Sequence, residues 1–265
     1  MSILIFTIIG VLIGVLSSLF GLGGGLIVVP ILFALLPESI PASYLMHTAI
    51  GTSLAVMIIN SLNSTLNHSR QNNVKWPIFR FFVLTISMGA FVGGVIASYV
   101  PSDGLRYVFI AFLIYVIISN VAKRTFTNAF TEHAFTYPKK STGAISGIVI
   151  GFVSTLLGIG GSLMTIPYLR KRGLRMLHAV ALATPLGLPI AIVGSITYLI
   201  TGLQAEGMPG STIGFIYLPA LLGFTLGGFA GVPLGRIIAQ KLPDGLFSKI
   251  YLLLLVLVVM MMIFG

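Results

Sequence analysis

An apolar segment interrupted by glycines occurs twice in this chain of 265 residues, and the duplication limits its fold more than any other feature. Residues 14–33 read GVLSSLFGLGGGLIVVPILF and residues 151–170 read GFVSTLLGIGGSLMTIPYLR. The two segments share identical residues at these positions: Gly14/Gly151, Ser17/Ser154, Leu19/Leu156, Gly21/Gly158, Gly23/Gly160, Gly24/Gly161, Leu26/Leu163, Pro30/Pro167 and Leu32/Leu169. Each copy is apolar enough to enter a membrane, and a matched pair of backbone breaks inside a membrane is typical of a binding site between two repeats.

Composition indicates an integral membrane protein. Hydrophobic residues make up 57% of the chain and charged residues 8%, which leaves too little polar surface for a soluble domain of this size. Besides the two glycine-broken segments, the chain has these apolar runs, long enough to cross a bilayer: 43–66, 77–100, 105–121, 177–201, 212–239 and 246–264. We therefore predict an all-α polytopic membrane protein with eight hydrophobic segments and about ten helices.

The positions of the cations predict the topology. If each broken segment crossed the membrane once, the 15 lysines and arginines would divide almost equally between the two sides. If each is instead a hairpin of two short helices that enters and returns, all of them except Arg106 fall on one side, as the positive-inside rule requires. This predicts an inverted-topology repeat, with each half a glycine-broken hairpin plus three transmembrane helices. The halves are 1–122 and 141–265, residues 123–140 form a cytoplasmic linker, and both termini are extracytoplasmic.

The repeat extends beyond the glycine motif. Residues 49–54 align with residues 181–186, which places Thr52 opposite Thr184 and Ser53 opposite Pro185. A later block keeps the same order in both halves, with Gly89, Gly93, Ala97 and Pro101 matching Gly231, Gly235, Ala239 and Pro243. Since these later glycines lie in unbroken spans, we expect them to serve close helix packing.

The glycine breaks predict an anion site. Each break starts a new helix, and the first amides of that helix carry partial positive charge and lack helical partners. Hydroxyl groups nearby can donate further hydrogen bonds. The candidate substrate-binding residues are Ser17, Gly21, Gly23, Gly24, Gly25, Thr52, Ser53, Ser154, Gly158, Gly160, Gly161, Ser162 and Thr184. Two structural alternatives remain open: the glycines can serve close packing, and the hydroxyls can bond their own helices.

Acidic residues and cysteines are informative by their positions and number. All five acidic residues fall in predicted loops, and the chain has no cysteine. Without a carboxylate or thiolate inside the membrane, the sequence offers no catalytic acid/base pair and no metal cluster. We expect no enzyme activity, no metal and no cofactor. Since the cations lie in short loops between spans, the net charge of +10 is no evidence for a nucleic-acid partner.

The chain resembles the sulfite exporter TauE/SafE family over nearly its whole length. In the first half the resemblance rests on Gly21-Leu-Gly-Gly-Gly-Leu-Ile-Val-Val-Pro30, Ala49-x-Gly-Thr-Ser53, Asn67-His68-x-Arg70 and Val74-Lys-Trp76. In the second half it rests on Gly158-Ile-Gly-Gly-Ser-Leu-Met-Thr-Ile-Pro167, Ala179-Val-Ala-Leu-Ala-Thr184 and Gly231-x-x-x-Gly235. The departures are Ser162, where a third glycine is usual, and Pro185.

The resemblance implies export of small sulfur-containing anions, such as sulfite or short organosulfonates, across the cell membrane. We expect a secondary transporter that works by alternating access around a midplane site between the two hairpins. An anion channel with the same site and a non-transporting membrane assembly protein are the alternatives. The expected partners are a small anionic substrate and the lipid bilayer, and a homodimer is compatible with the sequence.

Overall fold

The computed structural model describes residues 3–20, 24–123, 135–174, 176–239 and 244–264, and these form an almost entirely helical bundle. The first half contains α1 (Ile3–Phe20), α2 (Gly25–Leu35), a short 3-10 turn (Ala42–Tyr44), α3 (Leu45–Arg70), α4 (Trp76–Tyr99) and α5 (Ser102–Lys123). The second half contains α6 (Lys140–Leu157), α7 (Ser162–Lys171), α8 (Met176–Gly202), α9 (Leu218–Ala239) and α10 (Asp244–Phe264). Most of the predicted linker lies outside the described residues.

Among the described residues, 6 helices are long and apolar enough to cross a membrane, which confirms the all-α membrane fold. The most apolar windows of α3 and α8 are each 67% buried, whereas that of α5 is 22% buried. The centre of the bundle is therefore α3 with α8, and α5 lies at its edge. One boundary was wrong: the apolar run 212–239 is not helical throughout, because residues 212–217 form a two-stranded antiparallel hairpin, β1 (Thr212–Ile213) and β2 (Ile216–Tyr217).

The second glycine-broken segment begins and ends at the same end of the bundle. The start of α6 packs beside the start of α4, where Gly143 lies against the Phe81 ring. The end of α7 is at that end too, since the Tyr168 ring lies 5.8 Å from the Phe82 ring. The end of α3 and the start of α8 also meet there, as His178 Nδ1 and the Asn73 carbonyl oxygen are 2.9 Å apart. Helices α6 and α7 therefore form a hairpin.

The first glycine-broken segment begins and ends at the opposite end. At the start of α1, the Phe6 ring contacts Tyr217 and Phe224 at the start of α9. At the end of α2, the Phe33 ring lies under the Arg106 guanidinium at a distance of 4.8 Å. The starts of α3 and α5 meet at this end, since the Met46 amide donates to Ser102 Oγ. Helices α1 and α2 are thus a hairpin that enters from the other end.

The first helix of each half packs against a helix of the other half. Helix α1 of the first half packs on α9 of the second, and α6 of the second packs on α4 of the first. The contacts repeat in detail, because Gly93 lies against Phe152 while its counterpart Gly235 lies against Val15, which holds the same place in its motif as Phe152. The expectation of close packing at these later glycines is confirmed.

The central pair runs antiparallel. Tyr198 contacts Gly51, Leu54 contacts Gly194, and Ser61 lies nearest Gly187, so residue numbers rise on α3 as they fall on α8. Two parallel repeats, each crossing once with its broken segment, would instead place α3 and α8 parallel. The observed direction agrees with hairpins that enter from opposite ends.

Charge is sorted between the two ends. The end where α3 finishes and α4 begins, here called the cation-rich end, carries the following described residues: Arg70, Lys75, Arg80, Lys139, Lys140, Arg170, Lys171 and Arg172. The opposite end carries the acidic residues Glu38, Asp103 and Glu206. Arg106 is the described cation that lies there, and its Nε donates to the Met262 carbonyl at 2.7 Å. It caps the C-terminus of α10, where a positive charge is favourable.

Candidate functional site

The two glycine turns touch near the middle of the bundle. A Cβ at Gly25, the first residue of α2, would lie 3.0 Å from the Ile159 Cα and closer still to the Gly158 carbonyl oxygen. Ser53 on α3 donates from Oγ to that same carbonyl at 2.9 Å. Ser53, Gly25 and Gly158 were predicted site residues, and the structure brings them together although up to 133 positions separate them (158 − 25).

Glycine is required at the turns by backbone conformation and by space. Gly24, Gly158 and Gly160 have φ values of 88°, 66° and 67°, in the left-handed region that side chains disfavour. At Gly25 the limit is space, because the second turn occupies the position of a side chain. Gly25 aligns with Ser162. The second turn therefore carries a serine side chain at the position where the first turn has its third glycine. Gly21 and Gly23 lie outside the described residues.

The first turn combines a backbone break with two polar side chains. A Cβ at Gly24 would lie 3.7 Å from Ser17 Oγ on α1 and 3.7 Å from Asn60 Nδ2 on α3. Ser17 is buried. The Asn60 Nδ2 atom is also buried and has no hydrogen-bond partner among the described residues. Because an unpaired buried amide costs free energy, this group is suited to meet a ligand.

The second turn is surrounded by hydroxyl groups that lack partners. Ser154 and Thr155 end α6, while Ser162 and Thr165 begin α7, and all four residues are buried. None of their hydroxyl oxygens has a hydrogen-bond partner in the described part of the chain. Gly161, between them, has a Cβ position 3.2 Å from Thr165 Oγ1. Four buried hydroxyls around one helix N-terminus form a donor set that an oxyanion can use.

The two threonines predicted from the repeat are bonded within the protein. Thr52 Oγ1 accepts a hydrogen bond from the Tyr217 amide at 2.9 Å, which attaches the β1–β2 hairpin to α3. Thr184 Oγ1 donates to the Ala181 carbonyl of its own helix at 3.3 Å. Their roles as substrate ligands stay predictions, and the contacts seen here are structural.

Sequence reasoning did not single out Asn60 or Thr165 as site residues. Asn60 has no polar counterpart in the second half, where Ile192 occupies its position, and Thr165 aligns with Val28. A comparison of the two repeats, which guided the choice of candidate site residues, therefore could not identify Asn60 or Thr165. A polar residue within three or four positions of a helix start, or facing a predicted turn, is the signal that would have found them.

The electrostatics of the site are set by backbone and neutral groups. Among the described residues, no group of three or more histidine, cysteine or acidic side chains is placed to hold a metal ion. The described side chains around the two turns carry no carboxylate, so helix N-termini and hydroxyl or amide donors determine the local field. Such a field favours a small anion over a cation.

Known proteins similar to this chain are membrane transporters by name. A protein from Haemophilus influenzae named probable membrane transporter protein is 32% identical over 97% of this chain and 96% of its own length. Proteins of similar name from Methanocaldococcus jannaschii and Bacillus subtilis are 29% and 27% identical, covering 85% and 91% of those proteins. They cover 89% and 91% of this chain. No solved structure matches the chain.

The family comparison covers almost the entire fold. The model of the family described as sulfite exporter TauE/SafE matches residues 6–262, from the first turns of α1 to the end of α10. With its helical membrane fold and its relatives named as transporters, the protein is a membrane transporter rather than an enzyme. The chain belongs to the sulfite exporter TauE/SafE family.

Proposed function

We propose that this protein is a secondary transporter that exports small sulfur-containing anions by alternating access around the two glycine turns. The observation that carries the proposal is the contact between the turns: two hairpins enter from opposite ends and meet at Gly25 and Gly158, with Ser53 bonded across the contact. A site held between two such elements can be uncovered from either end by moving one half against the other.

The pairing of the helices supports this mechanism. Because α1 packs on α9 and α6 packs on α4, each hairpin is attached to the opposite half of the chain. A relative movement of α1 with α9 against α4 with α6 would therefore displace the two turns relative to each other. We propose that the halves 1–122 and 141–265 are inverted-topology repeats, and that their pseudo-symmetry relates an inward-facing to an outward-facing state.

The orientation follows from charge. We propose that the cation-rich end faces the cytoplasm, as the positive-inside rule favours, with both termini outside the cell and the protein in the plasma or inner membrane. Anions approaching from the cytoplasm would meet this positive end first. The family name supports sulfite as substrate, and short organosulfonates present the same sulfur oxyanion group.

Flux measurements in liposomes test the proposal. The purified protein is reconstituted into liposomes, and its orientation is read from labelling of Lys171→Cys at the cation-rich end and Gln204→Cys at the opposite end. These two positions are exposed and the native chain has no cysteine. We expect saturable uptake of sulfite or sulfoacetate that is accelerated by the same anion on the far side. Currents at channel rates would favour an anion channel, and no flux of any sulfur oxyanion would favour a non-transporting assembly protein.

A further inference from the structure

Helix α3 becomes polar beyond the middle of its length. From residue 60 to residue 70 it reads NSLNSTLNHSR, whereas the corresponding stretch of α8, residues 192–202, reads IVGSITYLITG. The contrast is sharpest at three positions on one face of the helix, four residues apart. Asn60, Ser64 and His68 stand on α3 where Ile192, Ile196 and Ile200 stand on α8.

These equivalent faces differ in chemistry although both are accessible. Ile192, Ile196 and Ile200 are 43%, 52% and 55% exposed, as expected for side chains that face lipid. Asn60, Ser64 and His68 are partly exposed, and Asn60 lies near the midpoint of a 26-residue helix. Polar side chains at that depth are costly against hydrocarbon but not against water. The polar face of α3, defined here as Asn60, Ser64 and His68, is therefore suited to a water-filled passage.

The polar face of α3 extends from the cation-rich end to the first glycine turn. His68 lies in the last turn of α3, next to Arg70 at that end. At the other limit, Asn60 Nδ2 is 3.7 Å from the Cβ position of Gly24, and Asn60 Oδ1 is 3.0 Å from that of Gly228 on α9. The Asn60 amide packs closely against Gly228, where a side chain would not fit, and its Nδ2 atom lies at van der Waals distance from the Cβ position of Gly24. The unpartnered Nδ2 group thus stands where the polar face of α3 reaches the turn.

The opposite end of the central pair is covered. The connection between α8 and α9, residues 203–217, folds back through the β1–β2 hairpin. Phe215 donates its amide to the Tyr198 carbonyl at 3.3 Å and places its ring 5.2 Å from the His47 ring. The equivalent connection between α3 and α4 at the cation-rich end comprises only residues 71–75 and forms no such hairpin. The two ends of the bundle therefore differ in how they are closed.

We propose that the polar face of α3 is the entry path for the anion from the cation-rich end, and that Asn60 binds the anion where the path meets the first glycine turn. Asn60 Nδ2 donates to an oxygen of the oxyanion, beside the N-terminus of α2. The path rests on the proposed transport function, and it adds a residue that the repeat does not duplicate.

Cysteine labelling tests the path independently of transport. Ser64→Cys and Ile196→Cys occupy equivalent positions in the two halves of a chain that has no other cysteine. The thiolate that reacts with a maleimide forms in water and not in lipid. With a membrane-impermeant maleimide present on both sides of the membrane, we expect Ser64→Cys to react about tenfold faster or more than Ile196→Cys, although Ile196 is 52% exposed. Equal rates would overturn the path, even if the native protein transports sulfite normally.

Flux assays test the role of Asn60. Asn60→Ile copies the residue at the equivalent position of α8, and we expect it to reduce sulfoacetate flux about tenfold or more, because one hydrogen bond to a charged group is lost. Asn60→Ala serves as the second variant if the larger side chain prevents folding. Flux equal to that of the native protein, in either variant at normal abundance, would overturn the role of Asn60. If the native protein itself carries no anion, the proposed function fails, while the labelling comparison still decides whether the path exists.

Discussion

The two glycine turns share a sequence motif but offer different surfaces. The first turn is poor in side chains, with Gly24 and Gly25 at the start of α2 and Val28 one turn later. The second turn carries Ser162 and Thr165 at the positions of Gly25 and Val28. Duplication therefore preserved the break in both halves, while the surroundings of each break diverged.

This difference suggests a division of roles between the turns. Because Gly25 has no side chain, the backbone of the second turn can pack directly against it. The first turn therefore serves as a contact surface for the second turn. The second turn, in contrast, gathers four buried hydroxyls that lack partners among the described residues. A site assembled from two such turns would be closed by the first and would take most of its hydrogen-bond donors from the second. Three variants can break or sharpen this comparison.

The largest effect is expected at Gly25. Gly25→Ala places a methyl group against the Gly158 carbonyl and the Ile159 backbone, neither of which can move without displacing the turn. We expect destabilisation of about 3 kcal/mol or loss of the folded protein, because overpacking against backbone is poorly relieved. The thermal unfolding temperature of the purified protein in detergent measures the effect.

Gly210→Ala is the matched control for Gly25→Ala. Gly210 has no atom within 4 Å of its Cβ position, so the same substitution should leave the unfolding temperature unchanged there. If Gly25→Ala were as stable and active as Gly210→Ala, the two turns would not be in contact in the membrane. The first turn would then lose the role assigned to it.

A smaller effect is expected from Ser53→Ala. The substitution removes the hydrogen bond to Gly158 and leaves a buried carbonyl without that donor, at a cost of about 1–2 kcal/mol. Ser87→Ala removes a serine that bonds only within its own helix in the described contacts, at Val83, and should cost less. Equal unfolding temperatures for the two variants would mean that Ser53 does not hold the second turn in place.

The breaks themselves could be predicted from the sequence, because positive φ and close backbone approach both require glycine and leave a recognisable pattern. The positions of the cations predict the direction of the hairpins, because the membrane biases positive charges in the loops rather than helix packing, and the orientation in the membrane stays a prediction. Both predictions depend on local features, namely a run of glycines such as 23–25 and the charges of short loops. The antiparallel α3 and α8 agree with that reading.

Contacts between distant residues could not be predicted in the same way. Nothing in the sequence indicates that the Ser53 hydroxyl bonds Gly158 rather than its own helix, since both choices satisfy a membrane serine. The β1–β2 hairpin was missed because residues 212–217 are as apolar as the span that follows. Residues 214–217 are buried, with β2 packed on α3 and α8, and periodicity cannot distinguish this from a membrane helix. Asn60 was not among the predicted site residues because its counterpart, Ile192, is not polar.

The smallest effect on stability, and the most direct test of the division of roles, is expected at the second turn. The double substitution Ser162→Ala and Thr165→Val brings this turn closer in character to the first and removes two hydroxyls that bond no described group. Stability should change by less than about 1 kcal/mol, because no hydrogen bond within the protein is lost. Anion affinity should fall about tenfold, seen as a higher KM for sulfite flux at unchanged abundance.

Thr48→Val is the control for this double substitution. It removes a hydroxyl that donates to the nearby Tyr44 carbonyl and should leave KM unchanged. An unchanged KM in the double variant would show that the hydroxyls of α7 do not contact the anion. The donors would then have to come from Asn60, the hydroxyls of α6 or the backbone amides of the turns.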